Sequence, residues 1–188
     1  MRTSGGSSTT VASKHVVRRG GAYYRVVAPE WVDPEDTAYS KQRGRRWNPA
    51  GEFGALYLNA TIHVAAANAR AQHAGRAIKL FDLLPEARPE LVTFEVPMVD
   101  VLDACTAEGV AALGFADDFP WAVSWPACQA VGREARAGAL AGVAARSNAE
   151  ATQTAWVGEE LALFEEVVVD PPTARRRFDE WYPAPIPG

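Results

Sequence analysis

Residues 43–58 read RGRRWNPAGEFGALYL, from Arg43 to Leu58. Arg45 and Arg46 stand beside Trp47, Asn48-Pro49-Ala50-Gly51 forms a turn, and the turn runs into a short apolar strand at residues 55–58. Arginine meets phosphate oxygens through two parallel hydrogen bonds, so a guanidinium pair beside an indole suits a site that holds a phosphate and stacks a flat ring. The same residues also read as a surface turn with solvated arginines and a half-buried Trp.

Upstream, residues 22–28 (AYYRVVA) carry the aromatic and β-branched content of a strand, which Arg25 interrupts. A charge in such a run points to solvent from an edge or into a polar cleft. Residues 1–20 are rich in Ser, Thr, Gly and Arg and read as a mobile arm. Downstream, residues 61–75 read as a helix. At 100° per residue His63, Arg70 and His73 fall in one arc, with Asn68 and Gln72 on the opposite side. With the charged arc in water, Asn68 faces inward and needs a partner, either a neighbouring strand or a ligand. His63 and His73 are ten apart and no Cys or carboxylate completes a set, so no metal site is expected.

Residues 91–96 read as a strand stopped by Pro97, 99–102 as another extended piece, and 106–113 as a small helix ended by Gly114. A helix at 125–141 places Cys128 among apolar residues at helical spacing, as a core thiol. Strands follow at 142–145, delivering Ser147 to its end, and at 161–169. The Pro-rich tail from 171 to 188 holds Phe178, Trp181 and Tyr182, which can dock on the domain or on a partner. Strands interleaved with two main helices, without regular βαβ alternation, indicate an α+β fold.

The chain has 188 residues, enough for one domain with a full core. With 48% hydrophobic and 22% charged residues it reads as soluble and globular, and its net charge of −4 predicts no general attraction to nucleic acid or anionic lipid. Arg175, Arg176 and Arg177 are expected to be solvated. Two cysteines give no disulfide framework, and no run has the length of a membrane span or a signal peptide core. Cytoplasmic residence is the expectation; oligomeric state is left open, a homo-oligomer included. The phosphate-loop, dinucleotide-fingerprint, zinc-protease and serine-hydrolase motifs are absent.

Tyr24-Arg25 on an early strand, Gly44-Arg45-Arg46-Trp47-Asn48-Pro49 through Ala55-Leu56-Tyr57-Leu58, the small-residue helix, Cys128-Gln129-Ala130-Val131-Gly132 and residues 142–147 resemble, in order and spacing, the RES domain. The resemblance covers about residues 22–170. It implies a single domain with a mixed, ADP-ribosyltransferase-like β-sheet core and flanking helices. Characterised members of that family are toxins of bacterial toxin–antitoxin pairs that consume NAD by phosphorolysis or hydrolysis of the nicotinamide bond, or that transfer ADP-ribose. Their partner is typically a helix-turn-helix (Xre-type) antitoxin whose C-terminal segment blocks the site.

Carried over position by position, the resemblance implies catalytic roles for Arg25 and Ser147, and NAD contacts from Arg46, Tyr57, Trp47 and Asn48, with NAD as substrate and no metal. The family's helical Glu falls on Asn68. Cleaving the glycosidic bond of NAD develops positive charge on the ribose, which a carboxylate stabilises and an amide does not. Loss of one such contact costs about 3 to 4 kcal/mol of barrier. The readings left are a slow enzyme, a site completed by Glu52 or Glu150, an inactivated form, and a silent module that acts by partner binding; transfer of ADP-ribose to a protein shares the same pocket.

Overall fold

The computed structural model describes residues 15–150 and 157–183. Six strands are laid down in the order β1 (Val16–Val27), β2 (Ala55–Asn59), β3 (Glu90–Ala104), β4 (Gly142–Arg146), β5 (Glu159–Phe164) and β6 (Ala174–Arg176). Among the described residues the helices are α1 (Ala38–Arg43), α2 (Ile62–His73), α3 (Ala107–Ala112), α4 (Trp125–Ala137) and α5 (Phe178–Trp181). The spatial order is β1-β2-β5-β4-β3-β6, and β1 pairs with β3 as well as with β2. The first five strands therefore close into a ring of pairings, with β6 added on β3. Only the β3–β4 pair is parallel, which makes the sheet mixed and the fold α+β, as the sequence indicates.

Alternation along the strands sorts the core. Tyr23, Val27, Leu56, Leu58, Phe94, Val96, Leu161 and Leu163 form one buried cluster. Trp47, Phe53, Ala55, Ala162 and Phe164 form another with Cys128, Val131 and Ala135 of α4. Burying side chains of this size is worth about 1.5–3 kcal/mol each, so these clusters fix the strand register and with it every position across the sheet.

Two strands are longer than local composition suggests. β1 starts at Val16, inside the stretch read as a mobile arm, because Val16 and Val17 pair with Leu102 and Val101. Residues 1–14 of that arm lie outside the described residues. β3 passes through Pro97 without stopping. Arg19 faces Val99 and Gly21 faces Val96, so Pro97 and Met98 together oppose Gly20 in a bulge, where proline's missing N–H costs no ladder bond. A side chain at Gly20 would bring Cβ to 2.9 Å from the Met98 Cα.

Elsewhere the elements end sooner. α4 stops at Ala137, ahead of Gly138 and of Ala139 at φ 58°. β5 covers Glu159–Phe164, beginning two residues earlier and ending five sooner than expected, because the Gly54 N–H donates to the Glu165 carboxylate and the Val167 N–H closes a turn on the Phe164 carbonyl. The C-terminal aromatics dock on the domain itself: Phe178, Trp181 and Tyr182 pack with Leu80, Leu91 and the small face of α2. No helix among the described residues is long and apolar enough to cross a membrane.

Candidate functional site

One row across the sheet organises the site. Tyr24 of β1 is paired with Asn59 of β2, Asn59 with Glu160 of β5, and Glu160 with Ala145 of β4. α2 runs over this row because Thr61 caps it, its hydroxyl accepting from the Val64 N–H at 3.2 Å, and because Ala65, Ala66 and Ala69 let it sit close. His63 and Arg70 are exposed and Asn68 turns inward, as helix phase requires.

Asn68 Nδ2 donates to Asn59 Oδ1 at 2.7 Å and to Glu160 Oε1 at 3.0 Å. Ser147, fully buried at the end of β4, donates its hydroxyl to the same Glu160 oxygen at 2.8 Å. Asn59 Nδ2 is committed to the Tyr24 carbonyl at 3.0 Å. Two residues that the sequence resemblance singles out, Asn68 and Ser147, therefore converge on a carboxylate that the sequence reading did not name. The carboxylates it named stand elsewhere: Glu52 pairs with Arg133 at 2.7 Å on the surface, and Glu150 lies 3.6 Å from Arg70.

Glu160, Asn59, Asn68 and Tyr57 line a cleft of about 290 Å³ together with Arg25 and Arg45. Arg25 donates to the Pro34 carbonyl and lies over the Trp31 ring at 5.0 Å. Burial pulls its pKa down to about 10, against Asp36 and Glu35 nearby, so the guanidinium stays charged at neutral pH. Arg45 lies over the Tyr39 ring at 5.1 Å. Trp31 and Tyr39 also line an adjoining groove of about 360 Å³.

Arg45 rather than Arg46 faces this cleft. Arg46 instead reaches the Arg146 carbonyl at 3.4 Å. Tyr57 is held by its hydroxyl, which accepts from the Trp47 N–H and donates to Asn48 Oδ1, both at 2.9 Å, and burial holds the phenol protonated. Trp47 and Asn48, expected to touch ligand, are core residues. Trp47 is 1% exposed, among Phe115 and Phe119, and Asn48 is fully buried, donating to the Ser40 and Phe53 carbonyls at 2.8 and 2.9 Å. The Asn48 side-chain amide fixes the turn, and the turn fixes Tyr57.

α4 clamps the same turn from outside. Gln129 Nε2 donates to the Arg45 carbonyl at 2.9 Å, and Gly132 lets the helix touch the backbone, since a Cβ there would lie 1.9 Å from the Trp47 carbonyl oxygen. Cys128, buried beneath, has its thiol pushed up to about 11 by that burial, as a core thiol and not a nucleophile.

Glu159 points to the other face of β5. There it takes Arg19 at 2.8 and 2.9 Å, the Tyr23 hydroxyl at 3.2 Å and the Cys105 thiol at 3.4 Å, a closed cluster away from the cleft. Among the described residues no group of three His, Cys, Asp or Glu could hold a metal ion. The cleft thus offers two cations backed by aromatic rings, and a carboxylate oriented by an amide and a hydroxyl. That set can bind an anionic ligand that also carries hydroxyl groups.

The comparisons agree with this architecture. No curated protein matches the chain. The fold is similar to a chain in the crystal structure of the M. tuberculosis MbcT–MbcA toxin–antitoxin complex, with a TM-score of 0.68 and 21% identity over 88% of this chain and 91% of that one. The family model of the RES domain matches residues 22–182, thus including β6 and α5, which the sequence resemblance left outside, and the chain belongs to the RES domain family.

Proposed function

We propose that the protein is a RES-type toxin of a toxin–antitoxin pair that binds NAD and cleaves its nicotinamide–ribose bond, by hydrolysis or phosphorolysis. The observation that carries this reading is the sharing of one cleft by Arg25, Arg45 and the Glu160–Asn68–Asn59 set. Two guanidiniums at a cleft suit a pyrophosphate. Polar acceptors and a carboxylate suit ribose hydroxyls, and the Tyr57 ring suits the nicotinamide plane. A cleft of about 290 Å³ takes the nicotinamide riboside end, and the Trp31–Tyr39 groove extends it for the remainder of a dinucleotide. The neighbour's complex with an antitoxin supports an antitoxin partner here, for which a helix-turn-helix (Xre-type) protein is the family's usual form.

The test is nicotinamide release from NAD by the purified chain, with and without inorganic phosphate, beside Arg25→Ala. Release that depends on Arg25 supports the reading, and phosphate dependence identifies the acceptor. A rate equal to that of Arg25→Ala would overturn it.

A further inference from the structure

We infer that Glu160 supplies the negative charge that the reaction requires, and that Asn68 and Ser147 are positioning residues for its carboxylate. The inference rests on the NAD-cleavage reading above. In the glycosidic step the bond between the ribose C1′ and the nicotinamide nitrogen breaks, and both its electrons go to the nitrogen, leaving neutral nicotinamide. The ribose carries the positive charge until an oxygen of water or phosphate bonds to C1′; with water, one proton passes to solvent. A carboxylate within the cleft stabilises the charge in the transition state.

Glu160 lines the cleft, while Glu52 and Glu150 are bound in ion pairs elsewhere. Its Oε1 accepts from both Ser147 and Asn68, whereas its Oε2 accepts from none of the described residues. One oxygen is thus fixed and the other is left for a ribose hydroxyl or the developing cation.

The amide at 68 is what a carboxylate at 160 requires. Asn68 spends both N–H bonds on acceptors, Asn59 Oδ1 and Glu160 Oε1, and Asn59 cannot reverse its amide without losing the Tyr24 carbonyl. A Glu at 68 would set an acceptor against two acceptors. Charge in this site can therefore stand at 68 or at 160 and is carried here at 160, reached from the strand instead of from the helix.

The experiment compares NAD turnover, NAD affinity by calorimetry, and thermal stability for the wild type, Glu160→Gln and the exchange variant Asn68→Glu/Glu160→Gln. Expected are a hundredfold to thousandfold loss of turnover in Glu160→Gln with affinity within threefold of wild type, and recovery of at least tenfold in the exchange variant. An active wild type with an equally active Glu160→Gln would overturn the inference and leave NAD cleavage standing. Folded Glu160→Gln that loses affinity and turnover in the same proportion would reduce Glu160 to a binding residue and also overturn it. A silent wild type would remove the parent reading.

Discussion

Asn68 Nδ2 and Glu160 Oε1 stand 3.0 Å apart, a donor from α2 facing a carboxylate from β5. Replacing Asn68 alone with Glu places two carboxylates in that contact. Like charges 4 Å apart at an effective dielectric constant of ~20 repel by about 4 kcal/mol, and rotation toward solvent reduces this. The pair relieves the rest by holding a proton, which raises one folded-state carboxyl pKa above its unfolded value. A raised acid carries no penalty at low pH, where both states are protonated, and loses stability as pH rises through the shifted value. Asn68→Glu is expected to melt near the wild-type temperature at pH 4 and well below it at pH 7.5. A deficit independent of pH would show that the two side chains do not meet.

Ser147→Ala removes the second donor to the same oxygen and leaves a buried site without its hydroxyl. Hydrogen bonds to charged groups are worth about 1.5–3 kcal/mol. The expected result is a loss of turnover of roughly tenfold to a hundredfold with NAD affinity retained, and Ser147→Thr restores part of it if the methyl is accommodated. Full turnover in Ser147→Ala would separate Ser147 from the site.

The turn, the two flanking strands and the inward face of α2 were legible because local patterns carry them: Asn-Pro-Ala-Gly punctuation, an apolar run, and a helical arc of charge opposite Asn68. Arg25 stands out as a charge inside a strand, whereas Tyr57 enters through the family resemblance alone; both line the cleft. Glu160 was not legible, since glutamate is depleted in strands and a Glu159-Glu160 pair ahead of an apolar run reads as loop. Its side chain becomes a site residue only through cross-strand register, with Asn59 on one side and Ala145 on the other. The same limit hid the strand at Val16, the continuation of β3 through Pro97 and the role of Arg175, all of which depend on pairing between distant segments. Arg45 and Arg46 are adjacent, so choosing between them needed the direction each side chain takes around Tyr57.

Trp47 discriminates a core residue from a ligand contact. Its ring is buried among Phe115, Phe119 and α4, while its backbone N–H holds Tyr57. Trp47→Ala is expected to cost about 3–5 kcal/mol of stability, and Trp47→Phe a smaller amount. For Trp47→Phe, NAD affinity remains within threefold of wild type in calorimetry, because the backbone donor is unchanged. A tenfold weaker affinity at near-native stability would return the indole to the binding site.

Arg175 links the C-terminal segment to the mouth of the cleft. It belongs to β6, pairs with Glu90, and donates to the carbonyls of Trp31 and Pro29 at 3.0 Å each. It is therefore not simply solvated: it holds the loop that carries Trp31, whose ring backs Arg25. Arg175→Ala frees the carbonyls of Pro29 and Trp31, and that of Ala28 at 3.5 Å, at the surface, where water replaces the lost donors, so the stability cost is small. The loop gains freedom, and a site whose mouth must be ordered on binding loses affinity rather than rate. Faster amide hydrogen exchange across residues 28–37 is expected, with KM for NAD raised about threefold to tenfold and kcat nearly unchanged. Unaltered exchange in that loop would show that Ala28–Trp31 is held without Arg175, and a fall in kcat at constant KM would place its effect on the chemistry at Glu160 rather than on the mouth.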